Sequence, residues 1–168
     1  RMDAGDILLQ ERIPIGVDEN AGELEARLAV DGADLLVRSL DGLQAGTITP
    51  RTQSVEGATR APKLTKEDGR LDWTWPAAQV HNRVRGANPM PGAFTDWPGG
   101  TLKIHRAEPV SGLVSGLVSA NGAPGVVLTA TAADGIVVAC GEGAVRLTEV
   151  QPEGRARMAT DAFLRGNA

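Results

Sequence analysis

Cysteine is almost missing from this chain: Cys140 stands alone, so no internal disulfide and no cysteine-built metal cluster can form. Tyrosine is absent altogether, and no aromatic residue occurs before Trp73. The five rings present, Trp73, Trp75, Phe94, Trp97 and Phe163, all fall in the later part. No apolar run approaches the ~18 residues that cross a bilayer, and no signal-peptide pattern opens the chain, which therefore reads as cytoplasmic with no membrane partner. Residues 1–60 contain no lysine. The chain opens at Arg1, inside what reads as an element rather than before one.

What is there fits an ordinary globular protein: 168 residues, 42% hydrophobic and 23% charged. The net charge of −4 hides an asymmetry, since residues 1–60 sum to −5 and residues 61–168 to +1. Such a balance makes no general phosphate magnet, so any claim on nucleic acid rests on clustered cations. The change of character falls at residues 61–75, Ala-Pro-Lys-Leu-Thr-Lys-Glu-Asp-Gly-Arg-Leu-Asp-Trp-Thr-Trp, a seam between two unlike halves.

Ahead of the seam, Ile7-Leu8-Leu9 and Ile13-Pro14-Ile15 read as a strand that becomes an edge at Pro14. Asn20 with Glu23 predicts a capping box, and Leu24, Leu28, Leu35, Leu36, Leu40 and Leu43 share a helical face. Gly32 is expected to bend or divide that helix, with Gly42 and Gly46 as stop signals. One strand and one helix make half of an α/β unit, too little to close a sheet. Residues 47–60 lack periodicity and read as a linker.

After the seam, Pro76 starts a helix predicted to reach Gly86, with Arg83 and Arg85 on its outer flank. Asn88-Pro89-Met90-Pro91-Gly92 reads as a rigid corner. Short strands follow at 93–97, 101–108, 125–130, 135–140 and 144–150, separated by turn signals; Gly141-Glu142-Gly143 is a hairpin turn and lacks the Gly-Lys-Ser/Thr of a phosphate loop. Five such strands predict a small barrel. The tandem Ser-Gly-Leu-Val at 111–118 reads as a duplication within a surface connection, and Thr160 as the cap of a last short helix.

Four stretches in order carry a family pattern: Met2-Asp3-Ala4-Gly5-Asp6-Ile7; Lys63-Leu64-Thr65-Lys66 with Leu71-Asp72-Trp73; Arg85-Gly86-Ala87-Asn88-Pro89-Met90-Pro91-Gly92; and Gln151-Pro152-Glu153-Gly154-Arg155-Ala156-Arg157-Met158. Together they resemble the methionyl-tRNA formyltransferases, over essentially the whole chain but only the later half of such an enzyme. The resemblance implies the α/β remnant of a Rossmann-like formyltransferase domain (strand plus helix), then a mainly β, OB-like barrel domain with flanking helices. It assigns residues 1–46 to the end of the catalytic domain, 47–61 to a linker, and 62–168 to a C-terminal tRNA-binding domain. It also implies 10-formyltetrahydrofolate as formyl donor, initiator methionyl-tRNA as partner, no metal, and a monomeric full-length protein.

By the same resemblance Asp3 stands at the catalytic aspartate, while its partners, in an Asn-x-His motif, are absent from this sequence. Formyl transfer needs an amine to attack, an oxyanion to be stabilised and a proton to leave; Asp3 supplies only a carboxylate, so the isolated chain is expected to be inactive. His81 and His105 are no substitutes: one lies in a predicted helix and the other on a strand, as structural or tRNA-facing groups. Their spacing offers no metal site. Lys63, Lys66, Arg83, Arg85, Lys103, Arg155 and Arg157 are the candidate tRNA contacts, a phosphate-following track along seam and barrel mouth. With few rings to stack on, shape and phosphate contacts are favoured over reading of unpaired bases. Trp73 and Trp75, alternate along an extended chain, are expected to anchor the seam in the core, and Cys140 to be a small core residue. The rival readings are a sugar-amine N-formyltransferase, which the seam and the 151–158 segment oppose, and a free-standing OB-type RNA-binding module.

Overall fold

The computed structural model describes residues 4–110, 122–131 and 133–166. Asp3 and the tandem repeat at 111–118 lie outside the described residues. The chain forms two compact units, Arg1–Lys63 and Leu64–Ala168.

The first unit is dominated by one helix, α1 (Ala21–Gln44), and its start is the predicted capping box. Asn20 Oδ1 accepts the Glu23 N–H at 2.9 Å while Glu23 Oε2 accepts the Asn20 N–H at 3.0 Å, satisfying two donors that the first turn leaves open. Gly32 does not divide it: the helix runs through unbroken, and a Cβ there would meet nothing within 4 Å. The helix ends where Gly46 takes φ 68°, a conformation natural only to glycine. Ahead of α1, residues 5–19 do not form the expected strand. A single bridge joins Ile7 to Arg51, with N–H to carbonyl distances of 2.8 and 2.9 Å, because among the described residues no neighbouring strand extends the ladder. Arg27 holds this segment by a 2.7 Å pair to Glu19 and a 2.9 Å bond to the Pro14 carbonyl. Ser39 is the one buried residue of α1, and most of the predicted leucine face stands open.

The second unit has a proper core. A 3-10 turn (Glu67–Gly69) leads to α2 (Ala77–Ala87), which ends one residue beyond the predicted Gly86 and is capped by Pro76. Ala77, Val80, His81, Val84 and Ala87 are its buried positions, the three-and-four spacing of a single helical face. The sheet consists of β1 (Ala93–Trp97), β2 (Gly100–Pro109), β3 (Val127–Thr131), β4 (Gly135–Ala139), β5 (Ala144–Pro152) and the short β6 (Met158–Ala159), close to the predicted strands. It is antiparallel, in the order β1-β2-β5-β4-β3 with β6 on β5. Among the described residues β1 and β3 stand at the two ends of this path, without the closing ladder of a full barrel. The sheet nevertheless curls: Trp97 of β1 and Val127 of β3 line one apolar cavity of about 340 Å³, together with Phe163 and Leu164 of α3 (Thr160–Arg165).

Two coupled irregularities cause much of that curl. The β2–β5 register slips on either side of Arg106, so the inward residues of β2 change phase from Leu102 and Ile104 to Ala107. Those of β5 change in concert, from Val145 and Leu147 to Val150. Such bulges raise the local twist and leave extra residues on the outer side. Here these are His105 and Arg106 opposite Thr148 and Glu149.

Two further corrections concern the seam and the C-terminus. Trp73 and Trp75 do not lie in extended chain but in a turn closed by the Trp75 N–H to the Asp72 carbonyl at 3.2 Å; both still pack on the core. Ala159, not Thr160, is the N-cap of α3, because the Thr160 hydroxyl is spent on the Leu147 carbonyl at 2.7 Å, fixing the helix to β5.

Candidate nucleic-acid interface

The outer side of β1, β2 and β5 brings side chains together by register. Phe94 faces Lys103 across the β1–β2 ladder, and Lys103 faces Gln151 across β2–β5. Lys66, from the seam, reaches over Phe94 with its ammonium 5.9 Å from the ring centroid. Lys66 and Lys103 thus border one cavity of about 500 Å³, floored by Pro91, Phe94 and Pro152 and closed by the turn at Glu153 and Gly154. The exposed Met90 stands at its edge.

Ion pairing divides the cations of this unit. The Arg70 guanidinium packs 4.9 Å from the Phe94 centroid and pairs with Asp96 at 2.6 Å and Glu67 at 3.4 Å. The Asp96 hydrogen bond drives its pKa still higher. Arg157 clasps both carboxylate oxygens of Glu149, whose other neighbour, Arg106, lies 3.9 Å away. That grip holds the Glu149 carboxyl below the usual range, against a smaller opposing effect of burial. These guanidinium charges are largely compensated. Lys66 and Lys103 both face the cavity, and Arg155 is exposed on the turn that walls it.

The predicted track therefore resolves into separate places. Lys66 and Lys103 meet at one cavity, Arg155 is exposed on the turn whose Glu153 and Gly154 line it, and Arg157 precedes β6. Arg83 instead lines a different cavity, of about 630 Å³, among Glu67, Asp68 and Asp72. There it donates to the Asp68 carbonyl at 2.8 Å and packs 5.2 Å from the Trp75 ring. Arg85 turns to Asn82, 2.8 Å away on its own helix. Lys63 closes the first unit. His81 is buried in α2, whereas His105 lies on the outer side of β2 and meets Gln151 at 3.0 Å. Sequence reading had passed over Arg70, Arg106 and Gln151; Gln151 was visible as the head of the 151–158 motif, but the other two carry no local signal.

Elsewhere the chemistry is quiet. Cys140 is buried, and burial pushes its thiol up to about 11, so it is no nucleophile at neutral pH. Among the described residues no cluster of three His, Cys, Asp or Glu could hold a metal ion, and no helix is long and apolar enough to cross a membrane.

The second unit is thus a curled antiparallel sheet backed by one helix, with cations around an outer cavity. Residues 63–168 match the model of the formyl transferase C-terminal domain, and the chain belongs to that family. It is 50% identical over 165 residues to the methionyl-tRNA formyltransferase of Solibacter usitatus, covering 98% of this chain and 50% of that protein. The enzyme of the same name from Symbiobacterium thermophilum is 42% identical over 165 residues, with 98% and 49% covered. The chain thus spans about half the length of the curated relatives it matches. Among solved structures, a variant of HypX from Aquifex aeolicus shares the fold at a TM-score of 0.70 and 21% identity, covering 98% of this chain and 28% of that one. HypX has also been solved with tetrahydrofolic acid, at a TM-score of 0.66.

Proposed function

We propose that this chain is the later part of a methionyl-tRNA formyltransferase, and that its second unit holds the tRNA by phosphate contacts. The full-length enzyme would move a formyl group from 10-formyltetrahydrofolate to the amino group of methionine on initiator tRNA. The names of the relatives support the reaction; the observation that carries the role of this unit is the cavity bordered by Lys66 and Lys103. Two ammonium groups with no carboxylate partner among the described residues, beside Arg70 and Arg157 which are ion-paired, suit a polyanion better than a neutral ligand. Lysine acts as a point charge, so such contacts position RNA without reading its sequence.

Residues 62–168 on this reading form the OB-like tRNA-binding domain, the curl of the sheet standing for a barrel wall, with residues 47–61 as linker. Residues 1–46 are the remnant of the Rossmann-like catalytic domain, with Asp3 as its catalytic aspartate. The full-length protein is then a cytoplasmic monomer.

The test is a salt titration of binding between the chain and a labelled initiator tRNA transcript. Replacing Lys66 and Lys103 together by Ala is expected to weaken binding and to lower the slope of log affinity against log salt by about 1.5, near the ~0.7–0.9 expected for each phosphate contact. An unchanged slope removes this cavity from the interface.

A further inference from the structure

We infer that Gln151 is a positioning residue of the tRNA-holding surface, acting through the turn that carries Arg155 and not by touching RNA. The inference rests on the phosphate-binding role proposed above. Gln151 lies on β5 opposite Lys103, half-buried on the outer side, while its neighbours Val150 and Pro152 are buried. Its amide is engaged at both ends. Nε2 donates to the Arg155 carbonyl at 2.9 Å, and Oε1 faces His105 Nε2 at 3.0 Å. With the amide nitrogen committed to a carbonyl, the oxygen must accept, so the proton of His105 sits on Nε2.

The turn between β5 and β6 is thereby fastened on two sides. On the first limb, the Glu153 N–H donates to the Thr101 carbonyl at 3.0 Å and the Glu153 carboxylate accepts the Thr101 N–H at 3.2 Å. Gly154 then takes φ 71°, and the Arg155 N–H closes the turn on the Pro152 carbonyl at 3.1 Å. Gln151 fastens the second limb, at the residue that bears the cation. One donor and one acceptor of its amide are engaged within the protein, so its effect on RNA is indirect: it fixes the limb of the turn that bears the Arg155 charge, next to the cavity of Lys66 and Lys103. Because the amide packs outside the core, removing it should displace the turn and leave the sheet intact.

The experiment is a double-mutant cycle on the full 168-residue chain, read by salt-dependent binding of a labelled initiator tRNA transcript and by thermal midpoint. Gln151→Ala and Arg155→Ala should each weaken binding by about three- to ten-fold, the range of one lost hydrogen bond or exposed charge contact. Each should lower the salt slope by about 0.7–0.9, the double variant should be no weaker than Arg155→Ala alone, and the midpoint should hold. Gln151→Met keeps the length of the stem and removes only the amide; it gives the same reading if the alanine variant fails to fold. Additive losses, or a Gln151 variant that binds with the slope of the unsubstituted chain, overturn the inference while leaving the phosphate reading standing. Unchanged binding on Arg155→Ala overturns the inference too, and if Lys66→Ala with Lys103→Ala is also silent, the phosphate reading falls with it.

Discussion

Replacing Gly141 by Ala puts one methyl group where the chain has no room for it. A Cβ on Gly141 would lie 1.8 Å from the Thr74 carbonyl oxygen and 2.7 Å from its carbon, all backbone atoms that cannot rotate away. An ordinary carbon–oxygen approach is about 3.3 Å, so the two segments must part by roughly 1.5 Å. That separation pulls the Gly141 N–H from the Trp73 and Trp75 carbonyls, now 2.8 and 3.0 Å away, which pin the tryptophan turn to the β4–β5 hairpin. Overpacking costs about 1–3 kcal/mol and each forfeited bond about 0.5–1.5, which together suggest a loss near 3 kcal/mol. At ~4–8 °C per kcal/mol for a unit of about a hundred residues, the midpoint should drop by about 15 °C. Tryptophan fluorescence is the natural probe, since Trp73, Trp75 and Trp97 all belong to the second unit. Gly86→Ala is the matched control: a Cβ there meets nothing within 4 Å inside α2, so a gain of up to ~1 kcal/mol is expected. A fall of less than about 5 °C for Gly141→Ala would show that the Thr74 crossing is pliable and the steric reasoning mistaken.

Two other outcomes follow from side-chain environments. The Glu149 carboxyl is held below its ordinary value chiefly by Arg157, so its stabilising contribution is complete above the ordinary carboxylate range and fades as pH falls through the lowered folded value. Urea midpoints followed from about pH 6 to about pH 3 should decline less steeply for Glu149→Gln than for the unsubstituted chain, and parallel curves would refute the pairing. Burial that raises the Cys140 thiol to about 11 predicts that a thiol reagent at pH near 8 labels the unfolded chain at once and the folded chain only as fast as it opens. Rapid labelling of the folded protein would contradict that burial.

Elements with their own punctuation were legible in the sequence. Asn20 and Glu23 announced the start of α1, and the glycine turns at 134–135 and 141–143 bracketed β4 and β5, because capping and turn geometry are local properties. What depended on partners was not legible. The strand expected at 7–15 had the right composition but no neighbouring strand among the described residues, so it amounts to one bridge at Ile7. Thr160 looked like a cap, yet a distant carbonyl on Leu147 competed for its hydroxyl. The paired slips of β2 and β5 leave no mark in either strand alone, and they decide which side His105, Arg106 and Glu149 face. For the same reason the seven cations looked alike in sequence. Only strand register and ion pairing separate Lys66 and Lys103, which meet at a cavity, from Arg157, held by Glu149, and Arg83, set among carboxylates.

The bare side of α1 has a consequence for handling the chain in solution. Leu28, Val30, Leu36, Val37, Leu40 and Leu43 are each at least 43% exposed along a 24-residue helix, a rod of about 36 Å at 1.5 Å per residue. With acidic residues interspersed along its length, this rod has the build of a surfactant: it should collect at air–water boundaries and on plastic, and thin out dilute stocks. Dilute samples of the 168 residues are therefore expected to lose protein to their containers, and a trace of mild detergent should restore the missing signal without altering the tryptophan spectrum of the sheet.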